Sequence, residues 1–259
     1  MTHEIIKIDK INDPNISTFI SFKSSQLFNE NLILIEGHKV ISKAISCNVN
    51  ILKLLTSESL YEQYKSSFSK INQVYCLPDS QINKLVGQSY HGGIMAICER
   101  PIINTLNENQ AILVLNGLTS PENVGSIIRS AAGFNVLNIL IDSKSCHPHV
   151  KRAIRVSMGN VFFCNIEKTN DLKVRLTELQ SKGYEVISFA NADQSKSLRK
   201  FEFKKKSCLI VGSEGHGIEE SILKISDHII KIEMNDEVQH FNAASATAIF
   251  LYAYFNHNS

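Results

Sequence analysis

An apolar run that stops at a polar, proline-marked turn constrains this chain more than any other feature. Ala111 to Leu115 is unbroken Ala-Ile-Leu-Val-Leu, a buried strand by length and content. Polar residues follow, and Ser120-Pro121 then reads as a helix start, serine as the N-cap and proline at the first helical position. Val124, Ile127, Ile128 and Ala131 recur at helical spacing, so one face of that helix is core. Asn123 then falls in the first turn, close to the carboxyl end of the strand, where open α/β sheets bind ligands. Arg129 is the one positive charge in a helix segment otherwise small or apolar. Taken alone, it is a solvated or ion-paired side chain.

Two later stretches have the same character. Cys208 to Ile218, Cys-Leu-Ile-Val-Gly-Ser-Glu-Gly-His-Gly-Ile, is a strand running into a glycine-rich turn. Ile229 to Met234 reads as another strand, and Gln239 to Ala246 as a polar loop opening a small-residue helix. The turn is not the Gly-x-Gly-x-x-Gly of dinucleotide folds, and it lacks the Lys-Ser/Thr of a P-loop. An NAD or ATP site is therefore disfavoured.

The whole chain divides in the same reading. Before residue 100, strands are expected at Leu32–Ile35, Ile51–Leu55, Val74–Leu77 and Gly93–Cys98. Helices are expected at His38–Cys47, Tyr61–Phe68 and from Asp79 to Leu85. Such alternation is α/β. Glu99-Arg100-Pro101 and the polar Asn104–Gln110 make a linker. This gives one domain over 1–104 and a second over 105–259, a division that 259 residues accommodate. In the second, strands are expected at Leu137–Ile141, Val161–Ile166 and Glu185–Phe189, and helices at Pro148–Ser157, Asp171–Ser181 and Asn242–Phe255.

Net charge is only +2, so any nucleic-acid surface must be a local patch. Candidates are Lys23, His38 and Lys39 in the first domain and Lys151, Arg152 and Arg155 on one helix of the second. A solvated face is the other reading of each group; for the second, phosphate contact is preferred. Six cysteines, without a Cys-x-x-Cys, are read as small buried hydrophobes in a reducing cytosol. Residues 1–10 lack the apolar core of a signal peptide, and no run approaches membrane-spanning length. Cys146, His147 and His149 are too close together for a zinc finger. No metal and no membrane association are expected, and the cytoplasm is the expected compartment.

Together the three stretches resemble the motifs of the SpoU (TrmH) family of RNA ribose methyltransferases in the SPOUT superfamily. That family has an Asn and an Arg in the first motif, Gly-x-Glu-Gly-x-Gly in the second and Ser-Leu-Asn at a helix start in the third. Ile35-Glu36-Gly37-His38 and His91-Gly92-Gly93-Ile94-Met95-Ala96 resemble the substrate-binding domain of many members, which is similar to an RNA-gripping ribosomal-protein fold. A generic docking domain is the other reading of that region.

The resemblance implies an α/β fold, with a small RNA-binding domain followed by a trefoil-knotted methyltransferase domain, in a homodimer with its site near the interface. It implies S-adenosyl-L-methionine as cofactor and a ribose 2′-hydroxyl of structured RNA as acceptor, with ribosomal RNA ahead of transfer RNA. On that basis Arg129, Asn123, Glu214 and Asn242 are the catalytic set. Arg129 positions the hydroxyl and phosphate electrostatically, since a guanidinium keeps its proton. Glu214 orients Arg129 or the loop, and the two asparagines fix loop geometry; Asn242 is also a natural N-cap. The resemblance places the cofactor pocket at Gly212, Ile232 and Phe241, and Met234 adds an apolar contact beside them. Lys39, Arg152 and Arg155 contact RNA phosphates. The chain departs from the family at His240 for Ser, Phe241 for Leu, Glu233 for Pro and Asn116 for Asp. His240 motivates the rival reading, a catalytically silent RNA-binding relative.

Overall fold

The structure, a computed structural model, describes residues 4–21, 24–85, 92–102, 106–192, 194–235 and 241–258. It divides into two compact units: Met1–Pro101 with His149–Phe162, and Ile102–Pro148 with Phe163–Ser259.

The first unit runs β1 (Glu4–Lys7), α1 (Ser17–Ser21), α2 (Ser24–Asn29), β2 (Leu32–Glu36), α3 (His38–Ser46), β3 (Ile51–Ser57), α4 (Glu58–Tyr64), β4 (Gln73–Leu77), α5 (Asp79–Leu85) and β5 (Ile94–Glu99). Its sheet has the order β1-β4-β3-β5-β2. β1, β4 and β3 are parallel, and β5 runs antiparallel to β3 and β2. α3 buries Val40, Ile41 and Ala44, the face its spacing marks. α4 starts at Ser57, whose hydroxyl accepts the Leu60 amide at 3.2 Å, an N-cap. The helical stretch expected over Tyr61–Phe68 begins earlier and tightens to 3-10 turns from Lys65.

The second unit runs β6 (Ile112–Asn116), α6 (Pro121–Gly133) and β7 (Asn138–Ile141). α7 (Lys151–Val156) comes next in the chain and belongs to the first unit, where Lys151 Nζ lies 2.5 Å from Glu36 Oε1. The second unit continues with β8 (Asn165–Lys168), α8 (Leu172–Ser181), β9 (Glu185–Phe189), β10 (Lys196–Ser197), β11 (Ser207–Gly212), α9 (Glu220–Leu223), β12 (His228–Lys231) and α10 (Ala243–Asn258). Its seven strands are all parallel, in the order β10-β12-β9-β11-β6-β7-β8. β6 is buried along its whole length, as a central parallel strand covered on both faces must be. α8 closes over the sheet with Leu172, Leu176 and Leu179, one stripe packed into the cluster of Val114, Val186 and Ile210. Arg175 on the same helix ties Glu108 and Glu167 at 2.7 and 2.6 Å. Hydrogen bonds from Lys182 and then Arg175 hold the Glu108 carboxyl below its usual range.

Three expectations need correcting. Val161–Phe163 forms 3-10 turns, and the strand starts only at Asn165. Met158 and Gly159 both take positive φ, 55° and 75°, just before it, so the chain is turning there. β12 ends at Lys231, which leaves Ile232 and Met234 in the following loop. The expected helix from Pro148 is a shorter one from Lys151. Cys76, Cys98 and Cys208 are buried in β4, β5 and β11 as small hydrophobes, and burial raises the Cys76 thiol to about 11.

Candidate active site

In an open parallel sheet the ligand crevice opens beyond the carboxyl ends of the strands, where the strand order reverses. Here β7 and β8 lie on one side of β6, and β11, β9 and β12 on the other. The reversal therefore falls between β6 and β11.

The loop after β6 ends in the expected cap. Ser120 Oγ accepts the Asn123 amide at 3.3 Å and Pro121 is the first residue of α6. Burial of Val124, Ile127, Ile128 and Ala131 fixes the rotation of α6. Asn123, on the first turn, is left half-buried at the strand ends. The loop after β11 closes on itself: Ser213 donates its amide to Gly217 O at 3.1 Å, and Gly217 returns one to Ser213 O at 2.9 Å. Gly217 sits at φ 65°, a left-handed conformation that favours glycine. This closed loop holds out Glu214.

Glu214 is where the three stretches meet. Its Oε1 accepts Asn123 Nδ2 at 3.2 Å, Asn242 Nδ2, and the Ala243 amide at 3.1 Å. Asn242 Nδ2 also reaches Asn123 Oδ1 at 3.1 Å. Asn242 caps α10 as well, accepting the Ala244 and Ser245 amides at 2.9 and 3.3 Å. One carboxylate thus pins the start of α10 to the first turn of α6. Among the described residues, the partners of Glu214 are the two asparagines and the helix amide, so it orients the loop; Arg129 is not among them.

Beside Glu214 lies a cavity of about 370 Å³ at the ends of β9, β11 and β12. Gly212, Ile232, Met234 and Phe241 all line it. The motifs do not mark Phe189, Asn191, Leu223 and Thr247, which line it too. The end of β9, next to β11 in the sheet, was the signal that could have found the first two. Apolar walls with converging loop backbone and a minority of polar side chains, Asn191, Ser213, Glu214, His216, Lys231 and Thr247, suit a small organic cofactor.

Arg129 lies six residues beyond Asn123, roughly 9 Å along α6 and on another face of it. It is exposed and makes no hydrogen bond or ion pair among the described residues. Lys39 on α3 and Arg152 and Arg155 on α7 all belong to the first unit, so the structure does not place them in the Glu214 cluster. Lys23, His91 and His240 lie outside the described residues.

Asn116, at the end of β6, is explained by its neighbours. It is 1% exposed and donates to Asp142 Oδ2 at 3.0 Å and Glu219 Oε1 at 3.2 Å. Its Oδ1 accepts the Glu219 amide at 2.8 Å. An aspartate there would set a third carboxylate against two. Asn116→Asp is expected to cost about 2–4 kcal/mol at neutral pH, measured by denaturant unfolding. The deficit should shrink as pH falls. The two neighbouring carboxylates raise the pKa of the introduced carboxyl, so acidification protonates it and restores a donor at that position.

Among the described residues, no group of three or more His, Cys, Asp or Glu could hold a metal ion. No helix among them is long and apolar enough to cross a membrane.

Comparison with known proteins gives the same picture. Residues 110–252, more than half of the chain, match the model of the SpoU rRNA Methylase family. An uncharacterized tRNA/rRNA methyltransferase of Mycobacterium tuberculosis is 24% identical over 229 residues, covering 85% of this chain and 80% of that protein. The fold superposes on an AdoMet-bound rRNA methyltransferase from Sinorhizobium meliloti with a TM-score of 0.81 at 18% identity, covering 98% of both chains. It also superposes on a solved RNA 2′-O ribose methyltransferase, with a TM-score of 0.81, 18% identity and coverage of 98% of this chain and 99% of that one. The matched segment spans the parallel sheet, the Glu214 cluster and most of α10, and the chain belongs to the SpoU methylase family of RNA methyltransferases.

Proposed function

We propose that this protein transfers a methyl group from S-adenosyl-L-methionine to a ribose 2′-hydroxyl of structured RNA, with ribosomal RNA ahead of transfer RNA. The observation that carries the reading is the meeting of three distant segments on Glu214 beside an apolar cavity. The AdoMet carried by the Sinorhizobium relative and the 2′-O ribose chemistry of the second solved neighbour support it.

The cavity fits the cofactor by its chemistry. Ile232, Met234 and Phe241 offer apolar walls to a purine, and the loop from Gly212 to Gly217 offers backbone groups. Bound there, S-adenosyl-L-methionine supplies an electrophilic methyl group. Glu214, Asn123 and Asn242 hold the loop so that the acceptor meets that methyl in line. The exposed Arg129 guanidinium, supplied by the other chain of a homodimer, takes the acceptor ribose and its phosphate, where its charge stabilises the oxygen as the hydroxyl proton passes to water and S-adenosyl-L-homocysteine leaves. The first unit grips RNA, with Lys39, Arg152 and Arg155 meeting phosphates.

The working form is a homodimer in the cytoplasm. In support, α10 exposes Ile249, Tyr252 and Phe255 at 40, 55 and 40%. Phe134 at the end of α6 packs 5.9 Å from both Tyr252 and Phe255. An apolar strip of this kind marks an interaction surface. A knot in the last segment is part of the same proposal.

The test is methyl transfer from labelled S-adenosyl-L-methionine to separate pools of unmodified ribosomal and transfer RNA. Label is expected in the ribosomal pool, in dinucleotides that resist alkali. Label in alkali-released mononucleotides would show base methylation instead, and label confined to transfer RNA would reverse the substrate assignment.

A further inference from the structure

The first unit carries a pair of rings that the methyl-transfer site does not use. The His38 imidazole and the Tyr64 ring lie face to face, with 3.6 Å between centroids and 20° between planes. They come from separate elements, the first residue of α3 and the last of α4. Neither is core. Tyr61, one turn earlier on α4, is the buried aromatic of that helix, tilted against Phe68, while His38 and Tyr64 are both half-buried, with part of each ring at the surface. His38 Nε2 lies 3.1 Å from Ser42 Oγ, which fixes the ring against the first turn of α3.

The charge around the pair suits a polyanion. Lys39, next to His38, is exposed. Of the acidic side chains on the adjoining elements, Glu36 is paired with Lys151 at 2.5 Å and Glu62 with Lys65 at 2.7 Å, while the exposed Glu58 lies at the opposite end of α4 from Tyr64. The two acids nearest the rings in sequence are therefore each matched by a lysine.

Unstacked bases of RNA loops are bound on histidine and tyrosine faces, and such stacking tolerates any base. We propose that the His38–Tyr64 pair is a stacking platform for one unpaired nucleobase of the RNA substrate, with Lys39 on a neighbouring phosphate. This rests on the RNA methyltransferase reading and adds to it that the substrate presents an unstacked nucleotide to the first unit.

The test is equilibrium binding of unmodified ribosomal RNA transcripts to the full chain across a salt series. His38→Leu and Tyr64→Leu are expected to weaken binding roughly tenfold or more without changing the salt slope, because stacking releases no counterions. Lys39→Ala should flatten the slope by about one ion. Tyr64→Phe, which keeps the aromatic face, should bind within about twofold of wild type. The chain has seven tyrosines and no tryptophan, so tyrosine emission gives an independent readout. RNA should quench it in wild type and quench it less in Tyr64→Phe at equal occupancy. Far-UV circular dichroism and a thermal melt of the same samples report that each variant is folded. Folded leucine variants that bind like wild type, or an unchanged quench in Tyr64→Phe, would overturn the platform and leave the methyltransferase reading standing. Wild-type protein that binds neither ribosomal nor transfer RNA would overturn both.

Discussion

Gly212→Ala is expected to abolish methyl transfer and to weaken S-adenosyl-L-methionine binding by about 100-fold or more. The reason is steric and local. A methyl group at residue 212 would lie 2.3 Å from both the carbonyl carbon and the oxygen of Gly217, and 2.6 Å from the Ile218 nitrogen. These are backbone atoms of a loop closed by two hydrogen bonds between Ser213 and Gly217, so no side chain can swing aside. The loop must open, and it carries both Glu214 and part of the cavity wall. Overpacking of this kind also costs about 1–3 kcal/mol of folding stability, readable as a lower melting temperature. Gly215→Ala is the control. Its added carbon would meet nothing within 4 Å, so stability should stay within about 0.5 kcal/mol of wild type. Equal damage from both substitutions would show that the close approach at Gly212 is not what shapes the loop.

Glu214→Ala should lower kcat by about 100-fold while changing stability by less than about 1 kcal/mol. Removing the carboxylate takes the shared acceptor from Asn123 Nδ2, Asn242 Nδ2 and the Ala243 amide together. The cluster is exposed, so water replaces the lost acceptor and the fold survives. What is lost is the tie between α10 and α6, and with it the alignment of acceptor and methyl. Glu214→Gln keeps one carbonyl acceptor without the charge, and an intermediate kcat is expected. The measurement is steady-state methyl transfer beside a thermal melt of the same samples. An unchanged kcat in Glu214→Ala would remove the cluster from the chemistry.

Local signals carried most of the second unit's fold. Ser120-Pro121 predicted a helix start that the structure caps as expected, and Glu185–Phe189 is the strand its content predicts. Misreadings arose where local content was ambiguous. Val161-Phe162-Phe163 is too short an apolar run to separate a strand from a tight turn, and the turn at Met158-Gly159 decided it. Glu4–Lys7 carries a charge at each end and only two apolar residues, too few to mark a strand, yet it pairs with β4 at the sheet edge.

The site was legible as a set of residues but not as a geometry. The motifs pointed to Asn123, Glu214 and Asn242, but nothing local says that one oxygen of Glu214 takes both asparagines. The partners of Asn116 were invisible for the same reason: Asp142 and Glu219 lie 26 and 103 residues away. Arg129 is the converse case, prominent in the sequence yet outside the Glu214 cluster in a single chain.

The central claim is that the cavity beside Glu214 binds the methyl donor. Titration calorimetry of S-adenosyl-L-methionine into the purified protein tests it most directly, with Gly212→Ala alongside. The account predicts saturable binding of one molecule per chain, lost in the variant. Absence of binding to folded wild-type protein would contradict it and leave a catalytically silent RNA-binding relative, the reading that His240 first raised.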